Sequence, residues 1–223
     1  MPKPAGNVGR VELIADALLF DLDGTLVDST AAVTRSWTTW AIEYGVTAAQ
    51  FDAVQTHGRT SRAVVADLVP AGDVEAADAR IRELELSDLA GVVALPGAAE
   101  LLDRLDPARW AIVTSGTRPL ATARIAAAGL PQPRVLVSAD DVRHGKPDPE
   151  PYRSGAARLG VAPERCVVIE DAPAGLTAAR AAGMASVAVV GTHRAEELKA
   201  DLVLPDLAHL SVTGTDRLVL RPR

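Results

Sequence analysis

The sequence predicts an α/β fold, a doubly wound parallel sheet interrupted by one all-helical insertion. Three observations carry this expectation. Short, nearly continuous aliphatic runs alternate with alanine-rich segments of helical period, which is the pattern of parallel strands buried under helices on both faces. Glycine and proline stand at the joints between them. From Ser29 to Pro96 the alternation stops and apolar residues recur only at helical spacing.

Taken in order, Ala17–Phe20, Trp110–Val113, Val135–Val137, Val167–Ile169 and Val187–Val190 read as strands. The helices read as Ala98–Leu105, Pro119–Ala128, Pro149–Leu159 and Gly175–Ala182. Pro119 and Pro149 suit a first helical turn, where a missing N–H costs nothing, with Asp148 as the N-cap of the second. Gly129, Gly160 and Gly183 suit helix C-termini. Inside the insertion, Val33, Trp37, Trp40 and Tyr44 form one stripe. Phe51 with Val54, then Val64, Val65 and Leu68, then Ile81, Leu84 and Leu89 continue the helical spacing. The aromatic stripe reads as core with no part in chemistry. The expected division is a Rossmann-like core of residues 1–28 and 97–223 and a helical insertion of residues 29–96.

Of 223 residues, 48% are hydrophobic and 23% charged, a balance that can bury a sizeable core. A formal charge of −6 speaks against a nucleic-acid binder, which needs basic surface against phosphates. No apolar run reaches the ~20 residues of a membrane span, and Met1 to Arg10 holds no apolar stretch of signal-peptide length. Cys166 is the only cysteine, so no internal disulfide forms, and its place in an apolar run marks it as a small buried hydrophobe. These features predict a cytoplasmic protein, a monomer or weak dimer, with neither nucleic acid nor membrane as partner. Only Lys3, Lys146 and Lys199 are lysines among 23 basic residues, so a lysine beside a motif is conspicuous.

Three strand ends and one helix start collect chemistry. After the first comes Phe20-Asp21-Leu22-Asp23-Gly24-Thr25-Leu26-Val27-Asp28-Ser29, with two carboxylates one residue apart at the edge where α/β sheets bind ligands. Asp and Gly also make ordinary turns, so this run alone leaves both readings open. After the second comes Thr114-Ser115-Gly116, a set of hydroxyl and amide donors suited to an anion and equally common in loops. Gly145-Lys146-Pro147-Asp148-Pro149 sets the lone central lysine before a helix start. Capping accounts for Asp148 and Pro149 and gives no reason for Lys146. Glu170-Asp171-Ala172-Pro173-Ala174-Gly175 then adds two carboxylates at the same edge. Crowded together, Asp21, Asp23, Glu170 and Asp171 repel one another unless a hard cation sits among them. Oxygen-only ligands favour magnesium.

In this order the four motifs resemble those of the haloacid dehalogenase-like hydrolases, from Asp21 to about Gly191. The runs TSGTRPLA, GKPDPEPY and EDAPAGL resemble that superfamily's phosphatases acting on glycerol phosphate, deoxyglucose phosphate and other sugar phosphates. The insertion is similar to their helical cap.

The resemblance implies magnesium-dependent hydrolysis of a small phosphorylated sugar or polyol. Asp21 would be the nucleophile forming an aspartyl phosphate, and Asp23 the general acid and then base, with Thr25 orienting that carboxylate. Thr114, Ser115, Gly116 and Lys146 would bind phosphate. Mg²⁺ would be held by Asp21, the Asp23 backbone carbonyl and Asp171, with Glu170 acting through water or from behind. In the insertion, the polar loop from Thr56 to Arg62 offers His57 and Arg59 as substrate contacts, against the plainer reading of a solvated turn. Arg118 and Asp28 lie near core motifs.

Within the superfamily, Asp23 argues against a dehalogenase, which has no leaving alkoxide to protonate. The absence of lysine between Ser29 and Pro96 argues against a phosphonate-cleaving enzyme with a Schiff-base lysine. The alternative that remains is a sugar phosphomutase using Arg59 or Arg62 on a second phosphate. A non-catalytic sugar-phosphate sensor would not need the intact set Asp21, Asp23, Lys146 and Asp171.

Overall fold

The computed structural model describes residues 12–54 and 56–223, so the reading of Met1 to Arg10 lies outside the described residues. Along the chain run β1 (Leu13–Ala15), β2 (Ala17–Phe20), β3 (Val27–Asp28), α1 (Thr30–Glu43), α2 (Ala48–Asp52), α3 (Ser61–Leu68), α4 (Val74–Ser87) and β4 (Val93–Ala94). Then follow α5 (Ala98–Arg104), β5 (Trp110–Val113), α6 (Arg118–Ala127), β6 (Leu136–Val137), α7 (Glu150–Leu159), β7 (Cys166–Glu170), α8 (Pro173–Ala182) and β8 (Ala185–Val189). The chain ends in β9 (Leu202–Leu204), β10 (Leu210–Thr213) and β11 (Leu218–Pro222).

Six parallel strands form the main sheet in the order β6-β5-β2-β7-β8-β9. The chain leaves β2 toward β5 on one side and later returns to add β7 on the other. The crevice beyond the C-terminal end of β2 is therefore the switch point where open α/β sheets bind ligands. Alternate residues point to opposite faces, and both faces are covered. Leu18, Phe20, Ile112, Val167 and Ile169 pack with Leu101, Leu102 and Ile125 of α5 and α6. Leu19, Ala111, Val113 and Val168 pack with Tyr152, Ala156, Ala178 and Ala179 of α7 and α8. Two buried faces are why the strands read as unbroken apolar runs.

Helix ends follow the expected chemistry to within a residue, except that α8 begins at Pro173, two residues before the expected Gly175. Gly160 and Gly183 close α7 and α8 at φ of 70° and 79°. Asp148 and Pro149 each fall one residue earlier than expected: Pro149 is the N-cap of α7, and the Asp148 carboxylate before it accepts the Glu150 N–H at 2.9 Å.

Helices α1, α3 and α4 enclose their own apolar cluster of Trp40, Val65, Ala77 and Ile81. The Trp40 ring stacks on Tyr44 at 4.9 Å and donates its N–H to the Ala77 carbonyl at 2.8 Å. Two expectations need correction here. The 29–96 stretch is not purely helical, because Val93–Ala94 pairs antiparallel with Val27–Asp28 at the root of the insertion. The aromatic stripe is not all core, because Val33 and Trp37 line a cavity while Trp40 is fully buried. Beyond the sequence-read strands lie β9 on the sheet edge and a separate antiparallel sheet, β1-β11-β10. Among the described residues no helix is long and apolar enough to cross a membrane.

Candidate active site

Residues from the ends of β2, β5 and β7 meet at a cavity of about 600 Å³ that also reaches the inserted helices. Asp21 follows β2 directly, and its neighbour Asp23 lies where the chain turns toward β3. Gly24 sits at φ +88°, and a Cβ there would stand 2.2 Å from Asp171 Oδ2, so this loop passes over Asp171 only as glycine. Gly175, in the first turn of α8, lets that helix pass close over Glu170, with whose carboxylate a Cβ would collide.

Lys146 lies beneath the nucleophile candidate. Its ammonium donates to Asp21 Oδ1 at 2.5 Å, Glu170 Oε1 at 2.8 Å and the Val113 carbonyl at 3.0 Å, which uses all three of its N–H bonds. Expected on phosphate, it reaches the cavity through Asp21. Burial alone would lower its pKa, but Asp21 and Glu170 hold it well above the usual lysine range. Glu170 is fully buried and also accepts from Tyr152 Oη at 3.1 Å and from the Asp171 and Ala172 amides at 2.8 Å each.

Asp21, Glu170 and Asp171 bring carboxylate oxygens within 4.8 Å of one another, all three residues being buried. Burial, followed by the neighbouring carboxylates and against the pull of Lys146, pushes the Asp21 pKa well above the carboxylate range. Burial, then Glu170, pushes Asp171 up to about 7. Three buried carboxylates against one ammonium leave negative charge uncompensated, and the donors are all oxygen. This set fits a hard divalent cation.

Asp23 differs. Ser29 Oγ donates to its Oδ1 at 2.7 Å, and Arg124 pairs with the same oxygen at 2.9 Å. Thr25, expected on Asp23, instead donates to Asp171 Oδ1 at 3.3 Å, because its side chain turns under the loop toward β7. Thr192, just beyond β8, donates to Asp171 Oδ2. Strand-end position was the available signal for Thr192.

The anion-binding candidates lie together, with some donors already engaged. Gly116 N–H donates to Thr114 Oγ1 at 3.0 Å, and Ser115 Oγ donates to the Gly58 carbonyl of the inserted segment at 2.8 Å. His57 and His193 meet edge to face at 5.3 Å. Partial desolvation, then His193, holds the His57 pKa below its usual value. Arg59 lines the cavity, while its NH1 pairs with Asp67 at 2.8 Å and its NH2 donates to the Ala63 carbonyl at 3.1 Å. Arg118 turns away to Asp141 at 2.6 Å.

Two buried charges were missed. Arg124 in α6 pairs with Glu85 of α4 at 3.1 Å as well as with Asp23. Each interrupts an otherwise buried helix face, Leu120-Ala121-Arg124-Ile125 and Ala77-Asp78-Ile81-Glu85, a signal present in the sequence.

A doubly wound sheet with two aspartates, a buried lysine and a carboxylate pair at its switch point is the framework of a hydrolase. The chain belongs to the haloacid dehalogenase-like hydrolases, whose family model matches residues 15–183. It is 44% identical to hexitol phosphatase A of Escherichia coli over 203 residues, 87% of this chain and 93% of that one. It is 34% identical to 2-deoxyglucose-6-phosphate phosphatase 1 of Saccharomyces cerevisiae, over 90% of this chain and 92% of that one. A solved hydrolase from Pseudomonas syringae, 29% identical, superposes with a TM-score of 0.77 over 86% of this chain and 94% of its own.

Proposed function

We propose that the protein is a magnesium-dependent phosphatase acting on a small sugar or polyol phosphate through an aspartyl phosphate on Asp21. The observation that carries this reading is Asp21 itself. It is a buried carboxylate held by Lys146 at the switch point and facing a cavity of about 600 Å³, with Asp23 two residues on. The names of the hexitol and deoxyglucose phosphatases support the substrate class.

Hydrolysis of a phosphate monoester can need an acceleration on the order of 10²¹-fold, about 28 kcal/mol, so the work is divided. An Asp21 carboxylate oxygen attacks phosphorus, the P–O ester bond breaks, and its electron pair leaves on the sugar oxygen, which takes the proton of Asp23. Asp23 then takes a proton from water as that water attacks the phosphorus of the aspartyl phosphate, which releases inorganic phosphate and restores Asp21.

Lys146 fixes the attacking carboxylate, and Glu170 fixes Lys146. Thr114, Ser115 and Gly116 offer hydroxyl and amide donors to the phosphoryl oxygens, with Ser115 and Gly116 exchanging their present partners for them. Magnesium would be held by Asp21, Asp171 and the Asp23 backbone carbonyl, with Glu170 through water, and when bound supplies positive charge against the anionic nucleophile and phosphate. Residues 29–96 are read as a cap that selects the leaving group, His57 and Arg59 among its contacts. The protein is further read as cytoplasmic and as a monomer or weak dimer, without nucleic-acid or membrane partners.

A phosphate-release screen over hexitol, deoxyhexose, glycerol and nucleotide monophosphates with magnesium tests this reading. Release from polyol or sugar phosphates is expected. Isomerisation of glucose 1-phosphate outpacing phosphate release, followed by ³¹P NMR with a trace of bisphosphate, would replace hydrolysis with mutase chemistry.

A further inference from the structure

Arg124 is an expensive residue to bury. Its side chain is 5% exposed on a helix face otherwise made of Leu120, Ala121 and Ile125. Removing a guanidinium from water costs several kcal/mol unless its partners offset it. Its Nε is buried without a partner among the described residues, so the two carboxylates it bridges set its orientation. One is Asp23 at 2.9 Å, in the loop after β2. The other is Glu85 at 3.1 Å, in the inserted helix α4, with a side chain 9% exposed.

Both donors to Asp23, Arg124 and Ser29, converge on Oδ1. The carboxylate is thereby fixed in rotation, and Oδ2 is left to exchange a proton with the leaving oxygen. The bridge exists only while α4 lies against α6. If the inserted helices lift, Arg124 loses Glu85 and with it one of the two anchors that aim it at Asp23.

We propose that Arg124 is a positioning residue for the acid/base carboxylate Asp23, and that Glu85 makes this positioning conditional on the inserted helices being seated over the site. The inference rests on the reading of Asp23 as general acid. Proton donation matters for an alkoxide and little for a nitrophenolate, which departs unaided. A properly placed general acid contributes ~10²–10⁴-fold.

The test compares kcat/KM for a hexitol phosphate and for p-nitrophenyl phosphate, because this ratio reports the steps up to departure of the alcohol. For Arg124→Gln the expected loss is about 30–100-fold on the hexitol phosphate and about 3–5-fold on the aryl ester, with part of the alkyl loss recovered in Arg124→Lys. For Glu85→Ala the same alkyl-selective loss is expected at about 5–10-fold, and adding it to Arg124→Gln should cost little more, because the two act in series. Should Arg124→Gln fail to fold, Arg124→Lys and Glu85→Ala carry the same comparison. Equal losses on both esters, or a Glu85→Ala loss that multiplies that of Arg124→Gln, would overturn the proposal. Asp23→Asn is the control. If that variant shows no leaving-group discrimination, the general-acid reading itself fails and takes the proposal with it, whereas discrimination in Asp23→Asn but not in the Arg124 variants rejects the positioning role alone.

Discussion

The two walls of the cavity are built on opposite terms. On the sheet side the buried charges are locked: Lys146 spends all its donors, Glu170 accepts from four, and Asp21 and Asp171 are almost wholly buried. On the inserted side, Val33, Trp37 and Phe51 offer apolar and aromatic surface, and Arg59 keeps its ion pair within its own segment. A reaction whose steps never change needs preorganised charge. A leaving group that differs between relatives needs only a surface of suitable shape. On the proposed reading the difference assigns the reacting groups to the sheet side and the choice of leaving group mainly to the inserted side, and the following variants can break that separation or sharpen it.

The largest effect is expected on the sheet side. Asp21→Asn should lower phosphate release by more than about 10³-fold on every substrate while melting within a few degrees of the parent, because it removes a nucleophile and no packed volume. Retained activity in a phosphate assay would reject the mechanism. Chelation with EDTA should abolish turnover and magnesium should restore it. Magnesium at about a hundredfold over its Kd should also stabilise the protein by about 2.7 kcal/mol, read as a rise in Tm that Asp171→Asn blunts. No shift in the parent protein would show that the carboxylates hold no cation.

Lys146→Met should cost about 3–5 kcal/mol in urea unfolding, since it leaves Glu170 and Asp21 buried without their cation. A cost below 1 kcal/mol would mean that the ammonium is not what holds them.

On the inserted side the effects should be smaller and substrate-dependent. Trp37→Ala should raise KM for a hexitol phosphate by about 5–20-fold while leaving kcat for p-nitrophenyl phosphate within about threefold. A uniform loss would erase the distinction between the walls. The smallest effect concerns Cys166 in β7, whose thiol burial pushes up from 9.0 to about 11. A raised pKa in the folded state means that its stabilising contribution is complete below about 9 and is lost as pH rises toward about 11. At pH 8 the folded protein should react with iodoacetamide far more slowly than the unfolded chain, measured by mass spectrometry.

What the sequence made legible follows the same divide. Strands β2, β5, β7 and β8 are buried on both faces, so runs such as Leu18-Leu19-Phe20 and Val167-Val168-Ile169 announce themselves, and the polar residues that end them mark the site. Strands β3 and β4 are two residues long and exist only through each other, pairing Val27 with Ala94 far along the chain. The sheet of β1, β10 and β11 likewise depends on pairing between chain ends, Leu13 with Leu220. Arg124 and Glu85 were unread because a charge on an apolar helix face names no partner until two helices meet. Thr25 was misassigned because a hydroxyl two residues from Asp23 can turn to either of two carboxylates, and only the path of the loop chooses Asp171.

The pairing of β3 with β4 has a consequence for chain entropy. It brings Asp28 and Val93 side by side, so everything between them is a loop closed at its base. The entropy of closing a loop grows only with the logarithm of its length, about 0.6 kcal/mol for each doubling. Lengthening, shortening or exchanging the segment between those two residues therefore costs the sheet little, and leaves the register of its six parallel strands unchanged. At this junction a new selectivity can be tried on the same sheet, provided that Ser29 and Glu85, which reach Asp23 and Arg124, are kept.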